Sequence, residues 1–188
     1  MQSSVLEVLA IWLSSMPTLW VLYLVKKGME VTAFTTKTKN FDELRKIGVS
    51  HVQSSIDLES LKSNEGKYDL VINTLFLDNE EIYKSYQHLT APGGVYVMLG
   101  LPSITTEFKI DLDYMIRNEI TTAGSVVGSI KDVKEMLEFS HNHKIECYTE
   151  TYTFDKFNDA LHRAEKERPI FRVVINVTDW AKQNGFDK

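Results

Sequence analysis

The side chains best suited to chemistry follow a β-rich segment, residues 30–35. They are hydroxyls and ammonium groups with no carboxylate among them: Thr35, Thr36, Lys37, Thr38 and Lys39. Such groups suit a phosphate, whereas a protein that binds free ribose hydroxyls usually places Asp or Glu at this point. The first carboxylate after the run is Asp42. The run therefore favours a ligand with a 2′-phosphate, and an exposed polar loop is the alternative interpretation.

Other positions of interest come at the ends of later β-rich segments. They are, in chain order, Thr74, Gly100, Val126 and Val127. Gly100 lacks a side chain and lets a flat ring approach the backbone closely, although a glycine here also serves an ordinary turn. Because open parallel sheets bind ligands at the carboxyl ends of their strands, we expect these positions to share one binding edge.

Catalytic groups and metal ligands are not predicted. His141 and His143 are two residues apart and do not share a helical face, so a solvated helix end explains them better than metal binding. Cys147 is the only cysteine, which excludes an internal disulfide and a cysteine-rich zinc cluster. A reducing, cytoplasmic location is the corresponding expectation.

The elements that must position these residues alternate between strand-like and helix-like patterns. Strands are predicted at 5–11, 30–35, 51–53, 68–74, 94–100, 120–126, 146–152 and 171–177. Helices are predicted at 17–27, 41–47, 57–62, 79–88, 111–117, 131–141 and 154–167, with a tail after residue 180. Such alternation predicts an α/β fold with a doubly wound parallel sheet, built as a single domain.

Composition agrees with one soluble domain. The chain has 188 residues, 43% of them hydrophobic, and a net charge of −5. Its lysines are scattered, so the clustered cations that bind nucleic acid are not expected. The apolar stretch 5–25 has about the length of a membrane span. A Ser-Ser-Met-Pro break lies at mid-stretch, and a buried strand followed by a helix is the preferred interpretation.

Several longer runs together resemble the cofactor domain of zinc-type medium-chain alcohol dehydrogenases, particularly the cinnamyl alcohol dehydrogenase group. The similarity extends over about residues 21–177. The runs that carry it are Gly28-Met-Glu-Val-Thr-Ala-Phe-Thr-Thr, Tyr68-Asp-Leu-Val-Ile-Asn-Thr, Pro92-Gly-Gly-Val-Tyr-Val-Met-Leu-Gly-Leu-Pro102, Ala123-Gly-Ser-Val-Val-Gly-Ser129, Met136-Leu-Glu-Phe139 and Phe171-Arg172-Val173-Val174.

The resemblance implies a Rossmann-like domain that binds NADP. It assigns the 2′-phosphate to Thr35, Thr36, Lys37 and Lys39, the nicotinamide half to Thr74, Gly100, Val126 and Val127, and a place near the cofactor to Arg172. In a complete relative the reaction would be reversible hydride transfer between NADPH and an aldehyde or alcohol. Segment 1–25 would be a divergent first strand and helix, 26–177 the cofactor domain and 178–188 a tail. A homodimer would form through an edge strand, with 123–127 or 108–114 contributing.

Two departures from the family limit this expectation. The glycine pattern Gly-x-Gly-Gly-x-Gly falls on residues 12–17, where its glycines become Trp12, Ser14, Ser15 and Pro17. A tight turn and close approach to pyrophosphate are thereby lost, and proline removes an amide donor from the helix start. The catalytic domain that supplies the zinc ligands of the family is not found in the sequence. Weak cofactor binding, or none, is therefore expected of a truncated and inactive chain.

Two alternatives stay open. One is a non-catalytic remnant, or a gene product whose first twenty or so residues come from the wrong reading frame. The other is a methyltransferase-like domain that binds S-adenosylmethionine, since segment 68–98 suits both families. Thr35 counts against it, because a carboxylate would be wanted there for the ribose.

Overall fold

The computed structural model describes residues 7–12, 17–36, 41–74, 80–100, 109–125, 127–146, 149–167 and 172–186. Its strands are β1 (Glu7–Trp12), β2 (Glu30–Thr35), β3 (His51–Ser54), β4 (Tyr68–Asn73), β5 (Thr90–Met98), β6 (Thr121–Gly124), β7 (Thr149–Thr153) and β8 (Arg172–Asn176). Its helices are α1 (Pro17–Lys26), α2 (Phe41–Lys46), α3 (Leu58–Ser63), α4 (Glu80–His88), α5 (Leu112–Arg117), α6 (Ile130–Asn142), α7 (Phe157–His162) and α8 (Thr178–Gln183).

Six of the strands form one parallel sheet in the order β3-β2-β1-β4-β5-β6. From β1, in the middle of the sheet, the strands continue through β2 to β3 at one edge. β4, β5 and β6 then follow on the other side of β1. The strand order therefore reverses between β1 and β4, which is the switch point of a doubly wound fold. The predicted α/β fold with a doubly wound parallel sheet is confirmed. β7 and β8 form a separate two-stranded parallel sheet.

Two apolar clusters lie on opposite faces of the six-stranded sheet. One combines α1 and α2 with β2 and β4, and its buried members are Val21, Leu24, Val31, Ala33, Leu44, Ile47, Val49 and Ile72. The other combines α3 and α4 with β2, β4 and β5, and its buried members are Phe34, Leu61, Tyr68, Val71, Tyr86, Leu89, Tyr96 and Ile120. β2 contributes to both, because its successive side chains point to opposite faces. Residues 31–35 are accordingly all buried.

The apolar N-terminal stretch divides between β1 and α1. β1 pairs with β2 on one side and with β4 on the other. Pro17 is the first residue of α1, a position that proline suits because its φ is already helical. Among the helices that the structure describes, none is both long enough and apolar enough to cross a membrane.

Three segments differ from their sequence-based prediction. β5 begins at Thr90, because Thr90 pairs with Tyr68 across a register shift in β4, so the turn expected at 91–93 lies within the strand. Segment 154–167 was expected as one helix. The structure has a 3₁₀ turn at Phe154–Lys156, then α7, then a π-helical turn at Arg163–Glu167. The segment expected as a tail contains α8.

Candidate functional site

The register of the six-stranded sheet brings the carboxyl ends of its strands to one edge. Trp12 of β1 lies opposite Thr35 of β2, and Thr35 in turn lies opposite Ser54 of β3. On the other side of β1, Ile11 lies opposite Asn73 of β4. The row continues through Met98 of β5 to Gly124 of β6. Residues that follow these strands therefore share one edge, as the sequence predicts.

At the end of β2, Thr35 and Thr36 differ in accessibility. Thr35 is only 2% exposed, and its carbonyl accepts the backbone N–H of Ser55 at 3.1 Å. Thr36 comes directly after the strand and is half-buried. Of these two hydroxyl residues, Thr36 is therefore the more accessible to a ligand. Lys37 and Lys39 lie outside the described residues.

The ends of β4 and β5 are tied together through Asn73. Its carbonyl accepts the N–H groups of Leu99, at 2.8 Å, and of Gly100, at 3.3 Å. Its side-chain amide donates to the hydroxyl of Tyr96 at 2.8 Å, and both residues are buried. Burial holds the pKa of the Tyr96 hydroxyl well above its ordinary value, against the hydrogen bond from Asn73, which lowers it. The neutral pair fixes Thr74 and Gly100 beside each other.

The end of β6 joins the same edge. The N–H of Ser125 donates to the carbonyl of Met98, the last residue of β5, at 3.2 Å. Val127 is 87% exposed, and Val126 lies outside the described residues. The edge therefore presents Thr36, Thr74, Gly100 and Val127 in the spatial order of their strands.

β1 lies between β2 and β4, so its carboxyl end is at the centre of this edge. β1 ends at Trp12 and α1 begins at Pro17. The N–H groups of a helix start bind phosphate in dinucleotide-binding proteins, and proline lacks that donor. Residues 13–16 lie outside the described residues. Pro17 therefore offers no backbone N–H to a ligand at the start of α1.

Arg172 is not brought to this edge by strand pairing. It opens β8, where it lies opposite Thr149 of β7. In the part of the chain that the structure describes, β8 pairs with β7 and not with the six-stranded sheet. No group of three His, Cys, Asp or Glu side chains among the described residues could hold a metal ion.

Sequence reasoning missed two buried polar residues near the edge. Asn73 was read as part of an apolar strand, although an amide at the end of such a strand is itself a signal of a buried hydrogen bond. Ser55 is fully buried, and the structure gives its hydroxyl no hydrogen-bond partner. Nothing in the sequence distinguishes Ser55 from an ordinary loop serine.

The family of this chain is identified by comparison with known protein families. The family model described as zinc-binding dehydrogenase matches residues 18–142, which include β2 through β6, most of α1 and all of α6. The chain belongs to the zinc-binding dehydrogenase family. The resemblance to the cinnamyl alcohol dehydrogenase group is thereby confirmed at the level of the family and its cofactor domain.

Individual relatives agree with this assignment. Aldehyde reductase AdhA of Synechocystis is 29% identical over 170 residues, which are 90% of this chain and 49% of the relative. A cinnamyl alcohol dehydrogenase structure from Sorghum bicolor gives a TM-score of 0.78 at 26% identity, over 92% of this chain and 48% of that one. A Helicobacter pylori cinnamyl alcohol dehydrogenase complexed with NADP(H) gives a TM-score of 0.74 at 23% identity. This match covers 91% of this chain and 48% of that one, and it shows the common fold. The chain thus spans about half the length of the relatives it matches.

Proposed function

We propose that this chain is an NADP(H)-binding domain of the alcohol dehydrogenase type, with the cofactor across the carboxyl edge of its six-stranded sheet. The observation that carries the proposal is the register of that sheet, which gathers the strand-end residues at the switch point of a doubly wound fold. Family membership and the NADP(H) bound by the Helicobacter pylori relative support it.

In this proposal the two ends of the edge have separate roles. Thr36, Lys37 and Lys39, which follow β2, bind the 2′-phosphate, since hydroxyls and cations replace the carboxylate expected for NAD. Thr35, which the sequence also placed in this set, is buried and does not reach the ligand. Thr74, Gly100, Val126 and Val127, at the ends of β4, β5 and β6, line the nicotinamide half. Arg172 is the member of the proposed set with the weakest support, because it stands on the second sheet.

Binding should be weak. Trp12 and Pro17 stand where the family has the first and last glycines of its pyrophosphate loop. The residues present also do not fit a zinc site, because the described residues contain no set of three ligands and the sequence has one cysteine. No catalytic step is therefore assigned to this chain. Hydride transfer to an aldehyde belongs to the complete enzymes it resembles. A non-catalytic remnant is the second candidate function, favoured by the same substitutions.

A homodimer through β6 is part of the proposal. β6 is an edge strand of the six-stranded sheet, and unpaired edge groups can pair with a second copy. α5 precedes it and exposes Leu112 and Ile116, which are 64% and 76% accessible. Apolar side chains beside an open edge suit a protein contact. The cytoplasm, where a single cysteine stays reduced, is the proposed location.

A fluorescence titration tests the cofactor assignment. We expect saturable binding of NADPH that is tighter than binding of NADH, and at least about tenfold weaker after replacing both Lys37 and Lys39 by Ala. The matched control replaces Lys46 and Lys62, which are exposed in the last turns of α2 and α3 near the opposite edge. Equal loss in the two double variants, or no binding of NADPH to folded protein, would contradict the proposal.

A further inference from the structure

His88, the last residue of α4, lies between two carboxylates from other elements. Its Nδ1 is 3.0 Å from Oε1 of Glu65, in the turn after α3. Its Nε2 is 3.0 Å from Oδ2 of Asp111, the residue that caps the start of α5. One imidazole thus connects α3, α4 and α5.

Both ring nitrogens of His88 face hydrogen-bond acceptors, and this geometry determines which protonation state of the ring can form both contacts. An ionised carboxylate only accepts hydrogen bonds, so each ring nitrogen must donate, and only the imidazolium form has two N–H groups. The neutral ring would place a lone pair against a carboxylate oxygen. Asp111 stays ionised, because hydrogen bonds from Lys84, from the backbone of Tyr114 and from His88 hold its pKa well below its ordinary value.

The contacts around His88 also attach α5 to α4. The side chain of Gln87 accepts from the N–H of Asp111 at 2.9 Å and donates to the carbonyl of Lys109 at 3.2 Å. The hydroxyl of Tyr114 donates to the carbonyls of His88, at 2.8 Å, and Thr90, at 3.0 Å. The Tyr114 ring stacks on the imidazole with centroids 4.0 Å apart.

Polar attachment matters here because α5 buries little apolar surface. The helix has no buried residue, and Tyr114 and Met115 are its members that pack against the core. Leu112 and Ile116 point to solvent. The polar contacts of His88, Gln87 and Tyr114 therefore help to hold α5 in place, and α5 leads directly into β6.

We propose that His88 is a pH-sensitive latch that holds α5 and β6 against α4 when it is protonated and loosens them when it loses its proton. The charged and titratable groups in contact with this bridge are Glu65 after α3, Lys84 on α4, and Asp111 and Tyr114 of the α5 segment. Lys62 of α3 and Glu81 of α4 line the same pocket as His88. The latch is closed at the acid end of the range and opens as the pH rises.

Amide hydrogen exchange on the full chain tests the latch. Histidine ordinarily changes charge between about pH 5 and about pH 8, so exchange is compared at about pH 5.5 and about pH 8.5, after correction for intrinsic exchange rates. We expect protection of α5 and β6, relative to β1 and β4, to be about tenfold higher at the lower pH. His88→Gln should lower that protection and abolish its pH dependence. His51→Gln is the matched control, since His51 also faces a carboxylate, Glu30 at 3.5 Å, but lies in β3.

Two results would overturn the proposal. One is protection of α5 in the natural chain that does not change with pH, or a change that survives in His88→Gln. The other is an imidazole that is neutral at about pH 5.5 in the folded natural chain, seen from its ring nitrogen chemical shifts, a readout that does not require the variant to fold.

Discussion

At the scale of single residues, the hydrogen bond between Asn73 and Tyr96 helps to hold the ends of β4 and β5 together. Replacing Tyr96 by Phe removes the acceptor of the Asn73 amide in a buried place. Loss of one buried hydrogen bond costs about 0.5–1.5 kcal/mol. Urea unfolding should therefore show a free energy of unfolding lower by that amount. Tyr152→Phe on β7 is the control and should change it by less than about 0.5 kcal/mol. Equal effects in both variants would contradict this role of the pair.

A second residue-scale prediction concerns acid stability. Arg163 binds both carboxylate oxygens of Glu150, at 2.7 and 2.8 Å, and this lowers the pKa of Glu150. The folded pKa lies below the unfolded one, so the pair stabilises the fold at neutral pH and its contribution is lost as the pH falls. Glu150→Gln should be less stable than the natural chain at about pH 7, with the difference disappearing toward about pH 3. A difference that persists in acid would contradict the pairing.

At the scale of elements, α6 is attached to α1 by a small aromatic contact. Tyr23 donates to the carbonyl of Met136 at 2.6 Å, contacts Ser140 and stacks on Phe139 with centroids 5.2 Å apart. Lys27 lies 4.9 Å from the centre of the Phe139 ring. The two helices therefore meet through one face of α6, while Val133 and Leu137 stay exposed.

Removing the ring should show how much this contact contributes. Phe139→Ala should lower the free energy of unfolding by about 2 kcal/mol, less than for a fully buried ring because Phe139 is half-buried. Thermal or urea unfolding measures it. Glu138→Ala, one residue earlier and exposed, should stay within about 0.5 kcal/mol of the natural chain. If Phe139→Ala matches that control, α6 is held by other contacts.

The hydrophobic periodicity of the sequence predicted the helices and strands better than it predicted which of them contact one another. The alternation of apolar strands with amphipathic helices predicted the order of elements and the parallel sheet, because the spacing of apolar residues indicates which face of each element is buried. The pattern of 131–141 did not show that α6 would meet α1 through Phe139 and leave Leu137 exposed. The start of β5 was also missed. Pro92 and Gly93 are typical of a turn, while the register shift in β4 that accommodates them depends on a neighbouring strand.

At the scale of the whole molecule, the proposed dimer gives a direct prediction. If β6 and α5 form the contact, the natural chain should sediment as a dimer and Ile116→Glu as a monomer, because a charge would be buried beside the edge strand. Ile130→Glu is the matched control, as Ile130 is equally exposed but lies on α6. A monomeric natural chain, or a dimer that survives Ile116→Glu, would remove this part of the proposal.

The sequence placed the candidate residues at one edge of the sheet because the carboxyl ends of parallel strands meet at the same edge, and the structure brings those strand ends together. It could not show that Thr35 is closed off while Thr36 is accessible, since burial depends on β1 and β3 as neighbours. It also placed Arg172 with the cofactor, an assignment that the strand pairing of β8 does not support.

The most direct measurement is a nuclear magnetic resonance titration of the labelled natural chain with NADPH, with backbone amide shifts followed residue by residue. We expect saturable shifts at the carboxyl edge, at Thr36, Thr74, Gly100, Ser125 and Val127, with little change near the amino ends of the strands. Smaller shifts with NADH at the same concentration would mark the 2′-phosphate as the preferred feature. Shifts confined to other surfaces, or none at saturating NADPH, would contradict a cofactor site at this edge.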